Sequence, residues 1–501
     1  MSLVGLEING TRVRGVLGPL GDYPLPLPLE PPAQDLPLAL SLEQSALEVG
    51  APALRLMRQR PHLVCHGFLA ALDNGAKTWQ AGRHRLDAGQ AMSAVWQRLE
   101  PMCRKTAGVV ATLPGYLAKA TAVRVLDLGE RVKVPVLGSL SAPLAAALVG
   151  YAEQAWVDSV LIVDVDDHAL TLALVRAVDG LAHVLDNRSF PHLGMRAWKD
   201  RLLNALSDCC VLQSRRDPRD APVAEQALYE QLDGLLEASF QGRFVHLGIQ
   251  AASWYQNLLV RPEQAAAFCG QLNRRFFAEI DNLLLGLPAE EMPTSILLTH
   301  AAGRLPGVTL PMRALVEDWI NNPVSSQVKT PIPDEDFGEN LLRDTGQESP
   351  RVAILSADAL ARSAHALGAW LERGELPPGH RDMVAPLPLP QPVEAGPARL
   401  HFQGQEIVIA EPTFCLGSHT GCHLVIDADR HPGVASKHCE ILHDRRAYVL
   451  YNRSQEGTLV NDSPVTGSVM LHAGDWIRLG ARGPVVRFLG QPNGHRSLLP
   501  A

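Results

Sequence analysis

The sequence has no dense run of lysine and arginine, and its 501 residues carry a formal net charge of −8. Nucleic acid and anionic membrane are therefore not expected as main partners. No apolar run reaches membrane-spanning length, because charge or proline cuts each candidate. The opening stretch MSLVGLEINGTRVRG shows no basic segment followed by an apolar one, so no signal peptide is expected. A soluble, cytoplasmic protein is the expectation. None of the eight cysteines forms a C-x-x-C pair, and no ligand spacing points to zinc. They read as small, reduced core residues, and no metal is expected. A Ser/His/Asp triad, a glycosidase carboxylate pair, H-E-x-x-H and a P-loop are all missing, so the motifs point away from an enzyme.

What is present is a folded chain, 46% apolar and 20% charged, long enough for two or three domains. The clearest break is LPPGHRDMVAPLPLPQPVEAGPA (376–398), where repeated proline favours an extended linker that couples its neighbours loosely. A second proline-rich stretch, DYPLPLPLEPPAQDLPL (22–38), reads as a surface loop, and residues 321–340 as an exposed insertion. Before the linker, β-branched runs such as GVVATL and VLIVDV alternate with long helical patterns, which indicates an α/β architecture. After it, short strands with turn signals about every ten residues indicate a small β-sandwich. The expected boundaries are 1–375, a linker at 376–398, the sandwich at 399–490 and a tail at 491–501.

One stretch poses a question. LIVDVDDHALTLALV (161–175) reads as two apolar strands joined by a tight turn, the shape that holds a nucleotide phosphate. Such a cradle needs glycines, which permit positive φ and let bare amides approach the oxygens. This one has Asp166, Asp167 and His168.

Taken in order, the segments before the linker resemble the ATPase domain of the seventy-kilodalton heat-shock chaperones, in the actin-like superfamily. The resemblance rests on ATLPGYL (111–117), SAPLAAALVGY (141–151), the hairpin above, HLGMRAWKDRLLNAL (192–206), FVHLGIQAASWYQNLLVRPEQ (244–264), ILLTHAAGRLPGV (296–308) and ADALARSAHALGAWL (357–371). It implies a two-lobed actin-like fold and ATP with magnesium. Of the positions it would use, Gly10 and Thr11 remain in the first phosphate turn, Asp164 matches the aspartate of the metal's water, and Glu230, Arg304 and Asp358 remain on the adenosine side. Against these, the glycines of the second turn are replaced, and Ala142 stands where a glutamate orients water. His300 and Ala301 replace a glycine pair, and the catalytic lysine has no counterpart that can be placed. Like charges about 5 Å apart at an effective dielectric near 20 cost roughly 3 kcal/mol per pair. Several such pairs outweigh micromolar binding, worth about 8 kcal/mol. The expectation is a pseudo-ATPase with no cofactor. The three aspartates read first as a solvated turn, with a repurposed metal site using His168 or His300, or an altered nucleotide site, as alternatives. A divergent ATPase governing the C-terminal module is the competing function.

Four ordered motifs after the linker resemble a forkhead-associated (FHA) domain, a phosphothreonine-binding module. They are FCLGSHTGCHLVID (414–427), VASKHCEI (434–441), NRSQEGTLVND (452–462) and LHAGDWIRLG (471–480). Gly417, Gly457 and Gly474 read as structural and His438 as a loop brace. The resemblance places phosphopeptide recognition at Ser418, Ser436, Lys437 and Glu456. Ser436 and Lys437 keep a donor and a cation. Ser418 stands where a bidentate arginine grips phosphate, and Glu456 where an asparagine anchors the peptide backbone. His419, His423 and Arg430 lie in the same loops. The expected function is a non-catalytic adaptor with a protein partner, the partner carrying phosphothreonine where the phosphate site still works.

Overall fold

The computed structural model describes residues 2–490 apart from 21–23, 74–76, 155, 157, 289–290, 294, 322–350, 373–385, 391–397, 404, 445–446, 462, 466, 472–474 and 482. Most of the expected linker and insertion, the tail at 491–501 and Gly474 thus lie outside the described residues. The chain forms two compact units, one of Met1–Gly150 with Trp156–Leu389, the other of Tyr151–Ala155 with Pro390–Ala501.

The large unit repeats one sheet plan twice. In the first sheet the spatial order is Val136–Ser141, Gly108–Leu113, Ser2–Ile8, Arg12–Pro19, Leu25–Leu27. In the second it is Arg351–Ile354, Ser295–Leu298, Ser159–Val165, Leu170–Val178, Leu181–Phe190, with Leu387–Pro388 at the far edge. Counting these strands in chain order, in both sheets the first pairs antiparallel with the second and parallel with the fourth, and the fifth lies parallel to the fourth. The parallel strands are covered on both faces, which is why Gly108–Leu113 and Ser159–Val165 are buried throughout rather than alternating. Helix Ala359–Glu372 packs against the first sheet and lies directly on Ser2–Ile8. A Cβ on Gly5 would sit 2.1 Å from the Ala361 carbonyl, so only glycine permits that approach.

The proline-rich stretch at 22–38 is not a surface loop. Its Leu25–Leu27 and Leu36–Pro37 pair with Arg12–Pro19, and Leu29 and Leu36 are fully buried. Proline is compatible with this position because Leu25–Leu27 is an edge strand, where a missing N–H costs no ladder bond. Part of the expected linker is likewise structured: Leu387 and Pro388 pair with Ala182 and Leu181, and Leu387 and Leu389 are buried.

The small unit is β-rich, with two antiparallel-dominated sheets enclosing a core that includes Leu400, Leu416, Ile441, Leu450, Ile477 and Phe488. One sheet runs Gln405–Val408, Arg399–Phe402, Val485–Gly490, Trp476–Leu479, Thr458–Val460, Ser463–Pro464; the other runs Leu424–Val425, Thr413–Gly417, Cys439–Asp444, Ala447–Asn452, Ser468–Leu471. Each of the eight cysteines is free of a disulfide, and all but Cys209 are buried. Among the described residues no helix is long and apolar enough to cross a membrane.

Candidate functional site

Two places in the molecule bring sequence-selected residues together. The first lies in the large unit, where the turn after Ser2–Ile8 meets the turn after Ser159–Val165. Each turn ends a strand with amides free of ladder partners, as an anion site requires. Here the chain itself supplies the acceptors.

In the first turn, the Thr11 and Arg12 amides donate to Asn9 Oδ1 at 2.9 and 3.0 Å, the side chain-to-backbone turn that asparagine favours. The Gly10 amide donates to Asp166 Oδ2 at 2.6 Å, and the Tyr116 hydroxyl reaches the same oxygen at 2.7 Å. In the second turn, the His168 and Ala169 amides donate to Asp166 Oδ1, both at 2.9 Å, and the Asp167 amide donates to Thr11 Oγ1 at 2.9 Å. Six turn amides thus hold six intramolecular bonds. A Cβ on Gly10 would meet Asp166 Oδ2 at 2.8 Å, which is why glycine persists there.

The solvated-turn reading is therefore overturned. Asp166 is 3% exposed and Asp164 9% exposed. A carboxylate at 166 is stable in this burial because it accepts four hydrogen bonds, one from each surrounding donor. Asp164 has one polar side-chain partner, the Thr299 hydroxyl at 2.9 Å. Burial, then the nearby Glu7 and Asp166, pushes its carboxyl up to about 7. Among the described residues, no cluster of three or more His, Cys, Asp or Glu side chains is arranged for a metal ion.

The cations of this region are engaged as well. Arg12 and Arg14 converge on Asp35, at 3.1 and 2.6 Å, and Arg14 also donates to the Ala357 carbonyl. Buried Lys199 donates to Asp233 at 2.9 Å, and despite its burial Asp167 and Asp233 hold its ammonium above the ordinary lysine range. Arg304 lies 3.7 Å from Asp233 and 3.6 Å from Glu237. Burial, with Arg304 and Arg12 nearby, lowers His300 to about 3, so its ring is neutral. Asp358 binds Ser356 and Arg362. Glu230 stands outside this network and accepts from Gln226. The space bounded by Glu7, Arg12, Thr299, His300 and Leu360 is about 10 Å³, room for one water against the several hundred Å³ of a small-molecule pocket. Sequence reasoning missed Asn9, Asp35, Tyr116 and Lys199. Asn9 alone left a local signal, as an asparagine opening a turn.

The second place is one end of the sandwich, where three loops meet. The Ser418 and His419 amides donate to the Ala435 and Ser436 carbonyls, both at 3.0 Å. A Cβ on Gly417 would lie 2.2 Å from the Ser436 carbonyl oxygen, so this loop contact requires glycine. His438, fully buried, ties the second loop to the third. Its Nδ1 accepts from the Ala435 amide at 3.1 Å, which leaves the Nε2 proton to donate to the Gly457 carbonyl at 3.0 Å. Burial lowers its pKa and keeps the ring neutral in this role. Gly457 has φ of 77°, the left-handed region that favours glycine.

On this frame Ser418 is turned inward, its hydroxyl donating to the Val434 carbonyl at 3.2 Å. Ser436 and Lys437 are exposed, and their side chains make no hydrogen bond or ion pair with the described residues. Glu456 is exposed next to Gly457. Of the other basic side chains in these loops, His423 accepts from the Cys415 amide at 2.9 Å and contacts Glu411 at 3.0 Å, and Arg430 contacts Asp427 at 3.5 Å, so both are already engaged. The segment from Phe414 to Gly480 holds all these loops, and residues 414–480 match the family model of the FHA domain.

Proposed function

We propose that the protein is a non-catalytic adaptor whose FHA module docks a protein partner, with a weakened preference for phosphothreonine. The observation that carries the reading is the open pair Ser436 and Lys437, a donor and a cation held at the loop end of a domain that matches the FHA family model. FHA domains imply protein partners, typically phosphopeptides. Here the inward Ser418 and the Glu456 carboxylate remove the strongest contacts such a ligand would use.

We read the large unit as a degenerate actin-like, chaperone-type platform that binds no nucleotide. Two things support this. The sheet plan repeats, and the turns that would hold phosphate have their amides taken by Asn9, Asp166 and Thr11. A cytoplasmic location fits a phosphopeptide-reading adaptor.

A phosphopeptide library pulldown tests the docking function with wild type, Ser436→Ala and the double change Ser418→Arg with Glu456→Asn. Wild type should retain phosphothreonine peptides weakly, Ser436→Ala should lose them, and the double change should enrich them. Strong wild-type selection unaffected by Ser436→Ala would place the phosphate elsewhere and refute the assignment.

A further inference from the structure

The larger sheet of the sandwich has an inner face in the core and an outer face in solvent. Ile477, Leu479, Val486 and Phe488 point inward and are buried. Their neighbours Trp476, Arg478, Val485 and Arg487 therefore point outward. Cross-strand register places Trp476 opposite Arg487, Arg487 opposite His401, and His401 opposite Glu406, one continuous row across four strands. Trp476 is 54% exposed, and the Arg487 guanidinium lies 5.3 Å from the centre of its ring. Arg478 lies opposite Val485, itself exposed, in the next row. Arg399 adds a third guanidinium on the neighbouring strand and already binds the row's carboxylate, Glu406, at 2.9 Å.

We propose that this outer face, centred on Trp476 and Arg487, docks an acidic peptide segment of a partner protein. A large exposed tryptophan braced by arginine is the residue pair that carries binding energy at protein interfaces. The Arg487 guanidinium beside the ring favours a carboxylate, and the Arg399–Glu406 pair shows that a carboxylate is accommodated on this face. The chain's net charge of −8 disfavours a nucleic acid as the occupant. The face is built on strands rather than on the loops that carry Ser436 and Lys437. Its occupancy therefore does not depend on the phosphothreonine reading.

The test uses the full chain and fluorescence anisotropy with a labelled dodecapeptide of alternating glutamate and leucine containing one phenylalanine. Saturable binding is expected, weakened at least tenfold by Arg487→Glu and by Trp476→Ala. Trp476→Phe, which keeps an aromatic side chain on the strand, should weaken it less. Arg275→Glu, an equal charge reversal at an exposed site on the large unit, should leave it unchanged. Raising salt from about 50 to 300 mM should weaken binding severalfold. The proposal is overturned if binding does not saturate or if Arg487→Glu binds as well as wild type. It is also overturned if a twelve-thymidine oligonucleotide binds more tightly with the same variant dependence. Sedimentation showing a dimer that Trp476→Ala dissociates would assign the face to a second copy instead.

Discussion

On the proposed reading, the strand-end turns of the large unit and the loop end of the sandwich both differ at positions that would grip a phosphate, but they differ in opposite ways. In the large unit, Asp166 occupies the amides itself and accepts four hydrogen bonds. In the sandwich, Ser418 is merely short, and Ser436 and Lys437 stay open to solvent. The first site is filled and the second is only diminished. A filled anion site becomes part of the stability of the fold, because its donors now depend on an internal carboxylate. A diminished site leaves the fold indifferent to it and is open to repair by side chains alone.

The largest effect expected from this contrast is structural. Asp166→Ala strips the acceptor from the Gly10, His168 and Ala169 amides and from Tyr116, and should destabilise the large unit by roughly 5 kcal/mol in urea unfolding. Ser418→Ala, by the same measurement, should cost under about 1 kcal/mol, since one partly buried hydroxyl bond is lost. Equal losses at the two positions would break the comparison.

The next effect is electrostatic. Asp164 has its folded-state pKa raised to about 7 from an ordinary 3.8, so the native state binds the extra proton. Stability should therefore fall as pH rises between these values and level off above them, by at most about 4 kcal/mol. Asp164→Asn, whose amide oxygen can still accept from Thr299, should flatten that slope and raise Tm at pH 8. A variant that keeps the wild-type slope would show that another group titrates.

The sandwich should respond in affinity instead. Ser418→Arg with Glu456→Asn is expected to tighten phosphothreonine-peptide binding about a hundredfold, near 3 kcal/mol, in calorimetric titration, with little change in Tm. The smallest expected effect is none: Mg-ATP should give no heat and no thermal shift with wild type. A micromolar dissociation constant, or a shift of several degrees, would show that the site in the large unit is open after all.

The elements of both units were largely legible in the chain. GVVATL and VLIVDV form buried strands with a parallel neighbour, because short runs rich in apolar and β-branched residues suit a sheet covered on both faces. The turn glycines 417 and 457 were legible too, since close approach and left-handed backbone leave a local mark. The proline-rich stretch at 22–38 misled, because proline marks both loops and edge strands and only pairing with Arg12–Pro19 decides between them.

The composition of the hairpin turn shows acid at residues 166 and 167, where the resemblance leads one to expect glycines. It could not show that the acid is buried rather than solvated. That outcome depends on Gly10 and Tyr116, whose partnership with Asp166 spans 156 and 50 residues of sequence. Local pattern reports which side chains a turn presents. Whether a carboxylate there repels a ligand or replaces one is decided by the donors that the fold brings within hydrogen-bond reach.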